Sequence, residues 1–283
     1  MTDFAPRRAA FRALHAAGCF VMPNPWDIGS ARWLEGLRFQ ALATTSSGFA
    51  FSRGLPDMDW AVPVEAVLVH VAEIAAATDL PVNADFESGY ARDAAGVAAN
   101  VAACVSTGVA GLSIEDATGE ADRPLFPVAE AVERVRAARG AIDASGADVV
   151  LTARAECHLV GHPDPLPESI RRLKAYAEAG ADVLYAPGLA APQAIRAVVE
   201  AVAPTPVNVL VGADIGLTVA DLGALGVRRI SVGSGLARAA WGGFSRAARL
   251  LAEEGRFTAF AEAQPFAELN GFFRADLAAR SRS

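Results

Sequence analysis

Lysine is nearly missing from this chain. The sequence has 25 basic residues, and only Lys174 is a lysine. Chemistry that needs a lysine amine, such as a Schiff base or a pyridoxal phosphate anchor, has that one candidate position. Lys174 lies in "SIRRLKAYAEAG", a helical pattern ahead of a strand. Cysteine is also scarce. Cys19, Cys104 and Cys157 are odd in number and far apart, which excludes a disulfide framework and a cysteine zinc site and suggests a reducing cytoplasm. His158 and His162 are four apart, but Gly161 and Pro163 argue against the helix a zinc pair would need. No uninterrupted apolar run approaches about 18 residues, so no membrane-spanning helix is expected. Arg12 and His15 break the stretch after Arg7 and Arg8, so no signal peptide is read. Net charge is −7 and no basic run stands out, which excludes a nucleic-acid surface. Linkers and low-complexity segments are missing too.

What is present is a repeated junction: a small-residue helix end, a glycine, then a short apolar strand. It occurs as "AAGCFVMP" at 16–23, "EGLRFQALATT" at 35–45, "TGVAGLSIED" at 107–116, "SGADVVLTAR" at 145–154, "AGADVLYAP" at 179–187 and "LGVRRISVG" at 225–233. The glycine belongs just past a helix C-terminus, where φ turns positive. "TDLPVNAD" at 78–85 and "APTPVNVLVG" at 203–212 use proline instead. Helical segments such as "VAEAVERVRAARGAIDA", 128–144, lie between them. Eight strand–helix alternations in about 250 residues predict a (β/α)8 TIM barrel. The alternative is a doubly wound open sheet. "GSGLAR" at 233–238 favours it only weakly, because it lacks the third glycine and follows the last strand. The expectation is one barrel domain over 1–283, with a helix at about 6–17 before the first strand. A C-terminal helical tail, 257–280, carries Phe257, Phe260, Phe266, Phe272 and Phe273. Five phenylalanines are too many for a solvated tail, so they pack on the barrel or on a partner.

In such a barrel the active site lies at the C-terminal strand ends. There the sequence places Asp57 in "RGLPD", Asp85 and Glu87 in "ADFES", and Glu115 and Asp116 in "SIED". Arg154, Glu156, Cys157 and His158 follow strand five, Tyr185 strand six, Asn208 strand seven, and Ser231 and Ser234 strand eight. Asp85 and Glu87, two apart, point the same way if the strand continues. Asp57, Asp85, Glu87 and Glu115 converge with few cations near, and crowded acids must protonate or find a cation. All-oxygen ligands suit Mg²⁺, or Mn²⁺. Helix capping or arginine pairing is the alternative for Asp85 and Glu87. Arg154 is the one firm cation of the ring, fit to bind a carboxylate in a fork. The "SSG" of Ser46, Ser47 and Gly48 offers hydroxyls and backbone N–H groups for a second oxyanion contact, or a plain turn. Together these features describe a site for a small acid with an adjacent carbonyl or hydroxyl.

These motifs resemble the isocitrate lyase/phosphoenolpyruvate mutase superfamily from about Ala9 to Leu251. The resemblance rests on "SSG…GLPD", "ADFESGY", "SIED", "TAR" and the closing "NVLVG" and "LGVRRISVG". It implies a barrel whose last helix swaps with a neighbour in homodimers or homotetramers. It implies Mg²⁺ held, mostly through water, by Asp85, Glu87 and Glu115, with Asp57 close by. Ser47 and Gly48 would bind the oxygens of an α-oxo carboxylate and Arg154 its carboxyl group, with Ser46 and Asn208 adding contacts. Asp57, Arg154 and Glu115 would be catalytic. The implied chemistry breaks a C–C or C–P bond through a metal-stabilised enolate. The lyases' Lys-x-Cys-Gly loop is replaced here by "EDATGEADRPLFPV", 115–128, with neither Cys nor Lys. The missing acid/base leaves Cys157, His158, Glu156 and Tyr185 as candidates. The expected function is an Mg²⁺-dependent lyase or hydrolase of a small α-oxo or α-hydroxy acid. The alternatives are a non-catalytic oxo-acid binder, a mutase, and a Schiff-base aldolase at Lys174.

Overall fold

The computed structural model describes residues 3–57 and 60–281. Its eight strands are β1 (Phe20–Met22), β2 (Leu42–Ala43), β3 (Val82–Asp85), β4 (Gly111–Glu115), β5 (Val150–Arg154), β6 (Val183–Tyr185), β7 (Val207–Leu210) and β8 (Arg229–Ser231). All pairings are parallel, in the order β1-β8-β7-β6-β5-β4-β3-β2. The ring is nearly closed between β1 and β2 by a bond from Ala43 N–H to Pro23 O at 3.1 Å. This is the (β/α)8 barrel that the junctions predict, and each strand falls at its expected junction. Gly108, Gly180 and Gly226, which end helices ahead of β4, β6 and β8, have φ of +95°, +101° and +89°, values costly for any side chain.

The helices of the barrel are α1 (Ala5–Leu14), α2 (Ile28–Gly36), α3 (Ser46–Ser52), α4 (Val64–Ala77), α5 (Ala94–Ser106), α6 (Val128–Ser145), α7 (Pro165–Glu178), α8 (Pro192–Val202) and α9 (Val219–Ala224). Helix α10 (Gly235–Glu254) opens directly after β8. Helix α1 places Phe11, fully buried, against Phe20, Val150 and Val183, so an apolar plug closes the barrel floor. Leu112, Ile114, Leu151, Leu184, Val209 and Ile230 pack in one apolar core with residues of the surrounding helices.

The other strand face is unlike that core. Alternate strand positions hold the buried polar residues Asn83, Ser113, Thr152, Asn208, Arg229 and Ser231. The uniformly apolar strands read from the sequence are therefore two-faced, with aliphatic residues against the helices and polar residues inside. Arg229 donates from Nε to Asn208 Oδ1 at 2.8 Å and from Nη2 to Thr152 Oγ1 at 2.9 Å. Burial, with only Tyr185 opposing it, pulls this guanidinium down to about 9.

The chain divides into two units, 1–235 and 236–283. The second unit thus begins before the tail expected at 257–280. It contains most of α10, a 3₁₀ turn (Thr258–Glu262) and α11 (Phe266–Arg280). Phe244, Phe257, Phe260 and Phe266 are each more than half exposed. Phe257, Phe260 and Phe266 are therefore not buried within their own unit. Among the described residues no helix is long and apolar enough to cross a membrane.

The loop after β3 is nailed down from outside the barrel. Arg134 of α6, 1% exposed, donates from Nη2 to Ser88 O at 2.6 Å and to Ala91 O at 2.7 Å. Its Nη1 reaches Arg92 O at 3.2 Å, and its guanidinium lies 4.1 Å from the Phe126 ring centroid. Replacing it would orphan three carbonyls at once. We expect Arg134→Met to destabilise the fold by about 2–4 kcal/mol, measured by urea denaturation.

Candidate active site

The mouth of the barrel is organised around one guanidinium. Arg154 ends β5, in register with Glu115 of β4 and Tyr185 of β6. Its Nη1 lies 2.8 Å from Asp85 Oδ1 and 3.0 Å from Glu115 Oε2, and its Nε lies 2.9 Å from Glu156 Oε1. The cation sits 5.0 Å from the Tyr185 ring centroid. Burial pulls Arg154 down, but Glu115, Glu156 and Asp85 outweigh it and hold its pKa well above the ordinary value. Asp85 is shared further: Ser46 N–H and Ser46 Oγ both donate to its Oδ2 at 3.0 Å.

Each remaining carboxyl is pushed upward. Burial raises Glu87 to about 7, partly opposed by the bond from Tyr90 OH at 2.7 Å and reinforced by Asp85 and Asp57. Burial also raises Glu115 well above the usual carboxylate range, despite Arg154. Burial, then Asp85, raises Asp57, while the Ser46 and Ser47 hydroxyls and Arg154 draw it back. Five carboxyls thus surround one cation. Glu87, Tyr90 and Trp60 each hold a positive φ, of +42°, +51° and +52°. For a residue with a Cβ that conformation costs on the order of 1–2 kcal/mol. Backbone strain is concentrated at this rim.

Ser46, Asp57, Glu87, Glu115 and Arg154 line a cavity of about 260 Å³, whereas Asp85, expected beside them, lines a smaller cavity. Other predicted residues are placed differently. Gly48 N–H donates to Thr45 Oγ1 at 3.2 Å, because Thr45 caps α3, so this group serves the helix rather than the mouth. The "SSG" is a helix start, not a plain turn. Asn208 lies lower. Strand register runs Arg154↔Tyr185↔Asn208↔Arg229, and strand tilt carries that row down from rim to floor. Asn208 donates to Ser231 Oγ at 3.0 Å and lines a smaller cavity of about 40 Å³ beneath Arg154. Asp116 turns away to Arg172 Nη1 at 2.8 Å and Tyr176 OH at 2.5 Å on α7, and it accepts from Glu156 N–H at 2.8 Å. Arg172 Nη1 also donates to Phe126 O at 2.9 Å, tying down the end of the 117–126 loop.

The acid/base candidates separate clearly. Cys157 is fully buried and burial pushes its thiol up to about 11. Tyr185 lies under Arg154, and burial raises it to about 12. His158 is absent from the lining of the large cavity, whereas Glu156 is part of it. Lys174 is exposed on α7, outside the barrel wall, which removes the Schiff-base reading from this cavity. Sequence reasoning missed Tyr90 and Trp60. Both follow the motif acids in loops, and no periodic pattern marks them. It also missed the Asp116–Arg172–Tyr176 cluster.

Among the described residues no three His, Cys, Asp or Glu side chains form a ready set of direct metal ligands. The charge count still fits a cation. Asp57, Glu87 and Glu115 all have raised pKa values, first because burial strips them of water and then because other acids crowd them. Mg²⁺ commonly keeps several waters and takes only one or two carboxylates directly, which suits acids spaced around a cavity.

A family model described as phosphoenolpyruvate phosphomutase matches residues 11–252. The chain belongs to this family. Members of the phosphoenolpyruvate phosphomutase/isocitrate lyase superfamily include lyases and mutases. An uncharacterised protein of Mycobacterium tuberculosis, Rv1998c, is 33% identical over 226 residues, 80% of this chain and 82% of its own. A crystal structure from Burkholderia cenocepacia J2315, named there only provisionally as a lyase/mutase, is 47% identical, with a TM-score of 0.92 over 96% of this chain and 97% of that one. Oxaloacetate acetylhydrolase, solved with its product oxalate, is 26% identical, with a TM-score of 0.84 over 99% and 98% of the two chains.

The raised pKa of Glu87 sets a testable pH dependence in metal-free protein. Its folded value, about 7, exceeds the ordinary 4.5. Its stabilising contribution is therefore complete below about pH 4.5 and is lost as pH rises through 7. In EDTA, Glu87→Gln should gain stability relative to wild type on going from pH 5 to pH 8, by on the order of 3 kcal/mol. Urea titrations at both pH values check this.

Proposed function

We propose that the cavity binds a small α-oxo or α-hydroxy carboxylate beside a hydrated Mg²⁺ ion and breaks a carbon–carbon bond in it, as a lyase or hydrolase. The observation that carries this reading is Arg154, the one cation among the described residues lining a cavity of about 260 Å³ with Asp57, Glu87, Glu115 and Glu156, and itself 2.8 Å from Asp85. Asp85, Glu87 and Glu115 would hold the ion, chiefly through water. When bound, it supplies the positive charge against which enolate charge develops.

The rest is the work of the chain's own groups. Arg154 commits Nε and Nη1 to protein carboxyls, and its Nη2 is the nitrogen left to meet a substrate carboxylate. The three acids fix its plane, so the substrate is oriented without reorganisation. Asp57 lines the cavity and would give up the proton that the departing carbon takes up. Glu115, 3.0 Å from Arg154 across the cavity wall, would be the partner carboxyl that receives the proton of an α-hydroxyl. The loop 117–126 covers part of the cavity with Ala117, Thr118 and Gly119, and it is pinned by the bridge Ala117↔Leu125.

Carbon–phosphorus chemistry is less well served. Arg154 is the one cation among the described residues lining the cavity, and a phosphonate dianion together with a carboxylate calls for more. The exposed phenylalanines of 236–283 support assembly as a homodimer or homotetramer, with a second copy covering that area.

Thermal melts test the reading. In EDTA the melting temperature is a baseline. Mg²⁺ should raise it, and Mg²⁺ with oxalate should raise it further, by several degrees at saturating ligand. Arg154→Lys should retain the Mg²⁺ step and lose the oxalate step. An oxalate shift that persists in EDTA would sink the metal-dependent reading. Binding in this series with no turnover on any α-oxo or α-hydroxy acid would identify a sensor instead.

A further inference from the structure

Arg154 has three carboxyl partners, and they are not held alike. Asp85 ends β3 and Glu115 ends β4, so the pairing of the sheet fixes both. Glu156 lies two residues past the end of β5, in the loop that follows. Yet it takes the Nε side of the guanidinium at 2.9 Å. The plane of Arg154, and the direction in which its Nη2 is offered, therefore depend on what holds Glu156.

A buried polar cluster outside the strand ring holds it. Asp116 follows Glu115 and, as neighbours along a strand do, faces the opposite way. Its Oδ1 accepts the Glu156 N–H at 2.8 Å, and its Oδ2 accepts from Arg172 Nη1 at 2.8 Å and from Tyr176 OH at 2.5 Å. Arg172 is steadied in turn by Glu168, whose Oε1 accepts from its Nε at 2.7 Å. Asp116, Glu156, Arg172 and Tyr176 are each at most 5% exposed.

Stability alone does not account for such a cluster. The desolvation of a buried ion pair offsets most of its attraction, and apolar residues of similar volume often stabilise as much or more. What the cluster adds is position. Its bonds end on rigid elements: α7 carries Arg172 and Tyr176, and β4 leads directly into Asp116. The rigidity passes to the one partner of Arg154 that lies in a loop. We infer that Asp116, Arg172 and Tyr176 are positioning residues: acting through Glu156, they set the direction in which Arg154 offers its Nη2 to a carboxylate. None of these three side chains lines the large cavity, so each acts at one remove. The inference rests on the proposed oxo-acid site for its ligand, but not for the geometry.

Tyr176→Phe is the test, because it keeps the ring in the core and removes only the hydroxyl. Arg172 also donates to Phe126 O, so changing it first would disturb the 117–126 loop as well. Two readouts are taken on the full chain. The first needs no ligand: solvent exchange of the Arg154 Nε–H, followed by NMR and identified by its loss in Arg154→Lys. Exchange should speed up about tenfold in Tyr176→Phe. The second is oxalate affinity by isothermal titration in Mg²⁺, which should fall about tenfold while the Mg²⁺ step of the thermal melt is retained. Ile142→Val, at a fully buried position of α6, is the control for a general loss of stability and should move neither readout. Arg172→Lys should act in the same direction, and it stands in if Tyr176→Phe fails to fold. Exchange that stays at the wild-type rate, or that Ile142→Val matches, overturns the inference. So does undiminished oxalate affinity in Tyr176→Phe. Wild type that binds no oxalate removes the proposed function, and exchange of the Arg154 Nε–H then decides the inference alone.

Discussion

One buried guanidinium holds the mouth of this barrel together. Arg154 stands within 3.0 Å of three carboxyls on three different segments, so β3, β4 and the loop after β5 share one point of attachment. A buried cation tolerates burial only with such partners, and the partners tolerate one another only with the cation. Its position is fixed at one remove. Asp116, gripped by Arg172 and Tyr176, takes the N–H of Glu156, and Glu156 takes Arg154 Nε. A helix on the outside of the barrel thereby sets the geometry of a side chain inside it. That chain of contacts gives Asp116 its partners, although burial raises its pKa as it raises that of Glu115 beside it.

The rest of the barrel interior is built for the same purpose. A floor sealed by Phe11 and an inner wall of amides and hydroxyls lie below the mouth, with Asn208, Ser231, Thr152 and Arg229 bonded to one another and Asn83 Oδ1 without a partner among the described residues. Positive φ at Glu87, Tyr90 and Trp60 shows where the chain departs from relaxed geometry, and all three lie at the rim. Such strain survives because Arg134 and Asn100 bond the carbonyls of the same loop: Asn100 Nδ2 reaches Gly89 O at 2.9 Å and Tyr90 O at 3.0 Å.

The architecture was legible because it repeats. Eight junctions of helix end, glycine or proline, and short strand leave little choice of fold, and Glu87 and Glu115 line one cavity with Asp57, while Asp85 lines the smaller one beneath. What could not be read is what depends on three-dimensional register. Asn208 stands at a strand end in the sequence, yet the tilt of β7 lowers it below Arg154. Gly48 reads as a loop donor, but Thr45 begins a helix there. Asp116 adjoins Glu115 in the chain and faces the opposite way, since neighbours in a strand point apart. Trp60 carries no pattern at all. Its importance lies in a backbone angle, which composition does not encode.

The charge count around Arg154 has a consequence at a distance. Five carboxyls and one cation present a repulsive potential to any approaching anion, and the net charge of −7 extends it outward. An anion arriving at the bare mouth climbs that potential, whereas a cation descends it. Positive charge at the mouth would lower that climb for a carboxylate.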